Sequence, residues 1–184
     1  MRNPAELGLQ PYSRREPALR PPTDEEVAAF ESSFDMRLPQ EYVEFLRKFN
    51  GARYPKLSAF TTASGYTTVI DRFYYLLPEN PERVDRKHHP NGWEFGNLWA
   101  ETRELRAAIK RSDGFKGLAD VREDITERVV PFGIDSGGAS QFVFDLRVSS
   151  RRVCLAVASR GFALVPLADS FAAFIDSLHE FEDE

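Results

Sequence analysis

Apolar positions in the first fifty residues recur at helical spacing. Val27, Phe30 and Phe34 fall at i, i+3 and i+7, and Tyr42, Phe45, Leu46 and Phe49 form a second stripe. Thr23-Asp24-Glu25-Glu26 has capping-box spacing: the Thr23 hydroxyl can accept the Glu26 amide, and the Glu26 carboxylate can reach back to the Thr23 amide. A first helix is therefore predicted to open at Thr23. Pro39 suits the start of a second, and Asn50-Gly51 supplies its stop. Residues 1–22 have no such period. Pro4, Pro11, Pro17, Pro21 and Pro22 interrupt them and Arg14, Arg15 and Arg20 keep them hydrated, so they read as an extended arm, with Tyr12 and Leu19 as its anchors.

Residues 66–77 are rich in β-branched and aromatic side chains and predict a strand on which Tyr74 and Tyr75 face opposite sides, one of them the core. The polar stretch from Pro78 through Asn91-Gly92 reads as a surface insertion. Leu98, Thr102, Leu105 and Ile109 return to helical spacing, predicting a helix over 98–111 that ends at Ser112-Asp113-Gly114. Residues 113–126 carry no clear period and read as loop with at most a short turn.

From Arg128 onward the period changes to two. Val130, Phe132 and Ile134 alternate, then Phe142, Phe144 and Leu146, then Val153, Leu155 and Val157, then Phe162, Leu164 and Pro166. The connections 135–139, 147–151 and 159–161 are short enough for successive hairpins, so the segment predicts an antiparallel meander. Opposite Val153 and Leu155, the third strand carries Cys154, Ala156 and Ala158, small enough to let a helix approach. Phe171, Phe174, Ile175, Leu178 and Phe181 predict a last helix from about Ser170, ending in acids (Asp176, Glu180, Glu182, Asp183, Glu184) that oppose its own negative pole. An N-terminal helix pair, a middle helix, a C-terminal helix and a meander together predict an α+β fold.

Composition narrows the function classes. A chain of 184 residues suits one domain, here 23–184 after the 1–22 arm, and can bury a sufficient core without staples. Fifteen Phe against two Met point to an aromatic, well-specified core. The net charge of -5 argues against direct nucleic-acid binding and suits a basic protein partner. One Cys excludes an intramolecular disulfide and a multi-cysteine zinc site. The absence of a signal-like h-region and of a spanning apolar run predicts a cytoplasmic protein with no membrane partner.

Candidate chemistry is sparse. Gly133-Ile134-Asp135-Ser136-Gly137-Gly138 approaches a serine-protease string, but a triad is defined by geometry, and the paired glycines suit a hairpin loop with positive φ. His88 and His89 are adjacent, with only His179 elsewhere, which argues against a metal site and for exposed or partner-contacting residues beside Trp93. Asp145, at a strand end, reads as an acceptor for turn amides before Arg147-Val148. No phosphate loop or dinucleotide fingerprint occurs, and no cofactor is predicted.

Three stretches carry a resemblance. Leu38-Pro39-Gln40-Glu41-Tyr42, with Phe45-Leu46 leading into Asn50-Gly51, resembles the opening motif of the SUKH superfamily. Val130-Pro131-Phe132-Gly133, then Asp135, Gly137-Gly138 and Asp145-Leu146, is similar to its strand, glycine loop and strand. Ser170-Phe171 with Phe174-Ile175 resembles its closing helix, so the likeness covers residues 23–181. The family often has Gly near Asp35 or Met36, and another Gly or an acid where Ala52 follows Asn50-Gly51. The resemblance implies a non-catalytic binding protein rather than an enzyme. Bacterial members are chiefly immunity proteins that neutralise a cognate toxin domain of a polymorphic or contact-dependent system, nucleases being common among those toxins. Fungal relatives are cell-wall and signalling regulators, which makes a regulatory or scaffolding module the alternative. On the immunity reading the partner surface is expected to use Tyr74, the insertion residues His88, His89 and Trp93, and Asp135, Ser136 and Gln141 of the glycine loop. Oligomeric state is left open.

Overall fold

The computed structural model describes residues 1, 3, 8–11, 20–61, 65, 67–77, 96–115, 119–149 and 151–180. In chain order the elements are β1 (Gln10–Pro11), α1 (Asp24–Ser33), α2 (Gln40–Phe49), β2 (Ala52–Thr61), β3 (Thr67–Phe73), α3 (Leu98–Arg111), a 3-10 turn (Asp113–Phe115) and α4 (Ala119–Glu127). There follow β4 (Val129–Asp135), β5 (Ser140–Asp145), β6 (Arg152–Val157), a second 3-10 turn (Ala158–Arg160), β7 (Ala163–Ala168), α5 (Phe171–Ser177) and β8 (His179–Glu180). The strands make one antiparallel sheet in sequence order from β1 to β7, with β8 also on β2. This is the α+β architecture that the change of period predicts.

The helix ends form as the sequence dictates. Thr23 caps α1, its hydroxyl accepting the Glu26 amide at 3.3 Å while Glu26 accepts the Thr23 amide at 2.8 Å. Asn50 does more than stop α2. Its Oδ1 accepts the Leu76 amide at 2.7 Å, and its Nδ2 donates to the carbonyls of Leu76 at 2.9 Å and Arg20 at 2.8 Å. One buried amide thus fastens the chain beyond β3 to Arg20 in the segment that leads into α1. Gly133 is required by packing: a Cβ there would lie 2.8 Å from the Arg72 carbonyl oxygen, so β3 can approach β4 only over a glycine.

Alternation sends two different sets of residues to the two faces of the sheet. Val130, Phe132, Phe142, Phe144, Val153 and Leu155 meet Phe30 of α1, Tyr42, Phe45 and Leu46 of α2, and Phe171, Phe174 and Ile175 of α5. Their rings pack edge-to-face or offset, as in Phe132–Phe144 with centroids 4.5 Å apart and Phe132–Phe171 at 5.5 Å. The other face carries Val129, Val143, Cys154 and Ala156 against Leu105 and Ile109 of α3 and Ile125 of α4. The small residues of β6 thus receive a helix, as their size predicts.

Four expectations need correction. Residues 119–127 are helical: α4 buries only Ile125 and Thr126 among its described side chains, too few to leave a periodic stripe. Strand β3 stops at Phe73, and Tyr74 and Tyr75 are both buried, Tyr74 in the main core cluster and Tyr75 beside Gly96, where it bridges to Asn97. The last helix ends at Ser177; His179 and Glu180 pair with Ala59 and Ser58, filling part of the edge of β2 that β1 occupies at its other end. Glu180 is therefore on a strand and not at a helix pole, and Phe181 to Glu184 lie outside the described residues. Finally, Gly138 takes positive φ in the glycine loop, whereas Gly137 does not. Within the arm, Leu9 is buried and β1 lies on β2, while Tyr12 and Leu19 lie outside the described residues.

Candidate functional site

The helix-covered face of small residues opens at one end into a groove of about 490 Å³. One wall is α3, through Glu104, Leu105, Ala108 and Arg111; the other is formed by two hairpin ends, Gly138 and Ala139 between β4 and β5 with Gln141 at the start of β5, and Ala158 and Phe162 between β6 and β7. Its width is fixed at the end of α3, where the Gly114 and Gly161 backbones are so close that a Cβ on Gly114 would lie 2.7 Å from the Gly161 Cα. The Ser112 hydroxyl donates to the Gly161 carbonyl at 3.2 Å and accepts the Gly114 amide at 3.1 Å. Phe162 lines the groove with φ of 64°, a region that a bulky side chain rarely occupies. Strain of that kind concentrates at binding sites.

Behind the groove lies a polar cluster that sequence reading assigned only in part. Glu101 is 4% exposed. Its Oε1 accepts the Gly96 amide at 2.7 Å and its Oε2 accepts Gln141 Nε2 at 3.1 Å. Gln141 Nε2 also donates to the Tyr74 hydroxyl oxygen at 3.2 Å. Burial pushes the Glu101 carboxyl above the usual carboxylate range, with Glu104 adding to the effect, while the Gly96 amide, Tyr74 and Arg72 oppose it. Burial also raises the Tyr74 phenol, with the Glu101 charge acting in the same sense. Glu101 could have been suspected: it lies three residues after Leu98 and four before Leu105, a carboxylate on an apolar stripe.

The residues singled out from sequence separate into three groups. Tyr74 and Gln141 meet in this cluster, Gln141 half-buried on the groove wall and Tyr74 fully buried behind it. Asp135 and Ser136 sit at the hairpin tip; Asp135 Oδ1 accepts the amides of Ala139 at 3.0 Å and Ser140 at 3.1 Å, while Ser136 is exposed and its amide donates to the Val69 carbonyl. His88, His89 and Trp93 lie outside the described residues.

Asp145 is a structural acid. Burial would raise its carboxyl, but bonds from the Arg147 and Arg152 guanidiniums and the Arg147 amide outweigh this and hold it below the usual range. Cys154 is buried, its thiol pushed up to about 11 by that burial, so it is a protonated core residue at neutral pH. Among the described residues no group of three or more His, Cys, Asp or Glu could hold a metal ion, and no helix is long and apolar enough to cross a membrane.

The model of the SMI1 / KNR4 family (SUKH-1) matches residues 21–177. The chain belongs to that family. No curated protein matches it. The SUKH-1 match spans the elements from α1 through α5, and so includes both walls of the groove and Glu101. The family includes immunity proteins. The Asn50 of the opening motif acquires a physical reason here, since it clasps the chain beyond β3.

Proposed function

We propose that this chain is an immunity protein: it binds a cognate toxin domain of a bacterial polymorphic or contact-dependent system and neutralises it by occupying its surface, without catalysis. The observation that carries this reading is the groove between α3 and the two hairpin tips, lined by Phe162 at positive φ. Aromatic side chains presented from rigid elements are the usual anchors of protein interfaces. Family membership supports a protein partner in general.

The contact surface we propose comprises the groove walls with Gln141 and the exposed hairpin tip at Asp135 and Ser136. Tyr74 supports Gln141 from behind, and His88, His89 and Trp93 are kept as partner-contacting residues on the sequence argument alone. The 1–22 arm precedes a binding domain at 23–184. We place its action in the bacterial cytoplasm and, among toxins, favour a nuclease, because a basic enzyme surface complements a chain of net charge -5.

The test is growth rescue. The C-terminal domain of a large secreted protein encoded beside this gene is expressed with and without this chain. Restored growth and a co-purifying complex are expected. Persistent toxicity with both proteins soluble overturns the immunity reading and leaves the regulatory or scaffolding module as the function. Trp93→Ala is expected to weaken binding more than it lowers Tm; equal loss of both removes that residue from the interface.

A further inference from the structure

A single buried carboxylate joins three parts of the chain that are distant in sequence. Glu101 stands on the first turns of α3, receives the backbone amide of Gly96 on one oxygen and the side chain of Gln141, forty residues on, on the other. Gln141 in turn reaches the hydroxyl of Tyr74, just beyond β3. The backbone around Gly96 is itself zipped to the Tyr75 strand end: the Tyr75 amide donates to the Gly96 carbonyl at 2.8 Å, and the Leu98 amide donates to the Tyr75 carbonyl at 2.9 Å. Gln141 is at the same time part of the groove wall. The position of that wall relative to Gly96 and Tyr74 is therefore not left to packing alone.

We propose that Glu101 is a positioning residue, a buried latch that holds Gly96 and Gln141 in fixed register and so sets the shape of the groove before a partner arrives. An apolar residue at this place would leave the Gly96 amide without its acceptor and the Gln141 side chain with the Tyr74 hydroxyl alone. Preorganisation of this kind lowers the ordering cost of association. The groove's role in partner binding rests on the function proposed above; the latch itself does not.

Among the described residues, the charged and titratable groups that bear on Glu101 are Glu104 on its own helix, Tyr74, and Arg72 on β3. Burial outweighs the help from Arg72, so the latch takes up a proton at higher pH than an ordinary glutamate. A protonated carboxyl is a weaker acceptor than the carboxylate. Falling pH should therefore loosen Gly96 and Gln141 together.

The test uses the full chain without any partner. In amide exchange and proton–nitrogen spectra, Glu101→Ala is expected to speed exchange at Gly96 by about tenfold or more while amides of the β5–β6 ladder change far less. The Gly96 amide and the Gln141 side-chain amide should titrate with one common midpoint in the native chain, and Glu101→Gln should abolish that step in both. If Glu101→Ala fails to fold, loss of the common titration step in Glu101→Gln carries the test. The proposal is overturned if exchange rises uniformly over the chain, if Gly96 is unaffected, or if the two amides titrate independently. Because no toxin enters the experiment, a failed latch leaves the immunity reading standing, and a failed rescue leaves the latch standing.

Discussion

The two faces of the sheet are built from the same alternating strands and do different work. Toward α1, α2 and α5 the strands present Phe132, Phe142 and Phe144, whose rings interlock with Tyr42, Phe171 and Phe174, with Leu155 in the same cluster. Toward α3 and α4 they present Val129, Val143, Cys154 and Ala156. The aromatic face buries large side chains and specifies one packing. The small-residue face brings a helix close and leaves room for buried polar groups and for a groove at its end. A binding protein gains from this division: rigidity comes from one side, and the other side can present variable surface without endangering the core.

The largest expected effect sharpens that contrast. Phe132→Ala should cost about 3–5 kcal/mol, because a ring surrounded by aromatic neighbours leaves a cavity that they cannot fill. Val143→Ala on the opposite face should cost about 1–3 kcal/mol. Chemical denaturation of the two variants compares the faces directly, and equal costs would break the distinction.

Asn50→Ala should follow, at about 2–3 kcal/mol, since it strips acceptor and donor from the buried Leu76 amide and carbonyl at once. The loss should appear as lowered Tm with the aromatic core otherwise intact.

Phe162→Gly separates stability from binding. The positive φ suits glycine and offsets part of the loss of a ring packed against the smaller core cluster, so Tm should fall only slightly, while affinity for a toxin partner should fall about tenfold or more through loss of the aromatic anchor. Tm with calorimetric binding reads both. A variant that binds as well as the native chain removes Phe162 from the interface.

The two buried acids should give opposite pH slopes. Asp145 has a lowered folded pKa, so its contribution is present above the unfolded value of about 3.9 and is lost as pH falls through the folded value. Glu101 has a raised one. Between about 4.3 and its raised value the folded chain keeps a proton that the unfolded chain has released, so stability declines as pH rises through that window. Asp145→Asn should flatten the acid limb of the stability–pH curve, and Glu101→Gln should remove the decline above it. Smallest of all, Asp35→Gly should raise stability by up to about 1 kcal/mol, by relieving a left-handed conformation.

Much of the aromatic face is legible in the sequence, because strict alternation and helical stripes of Phe, Tyr and Leu declare burial without knowledge of neighbours. Val130, Phe132, Phe142 and Phe144 fall on one side as their spacing requires. The other face is harder to read. Helix α4 buries too little to show a period, and β8 forms because an open edge of β2 is available, a fact of tertiary structure that no local pattern around His179 contains. Gln141 and Tyr74 could be singled out as residue types, but their meeting through Glu101 depends on three chain segments converging. Asn50-Gly51 reads as a helix stop from sequence; the clasp on Leu76 requires the fold.

The most direct test of the division between a scaffold face and a partner face is to block the groove and leave the core alone. Ala108→Arg places a long side chain between the walls from the α3 side. In the growth-rescue assay this variant should keep the native Tm and lose protection, with toxin affinity reduced about a hundredfold. Full protection by a stable Ala108→Arg chain would show that the partner binds elsewhere and would contradict the assignment of the groove.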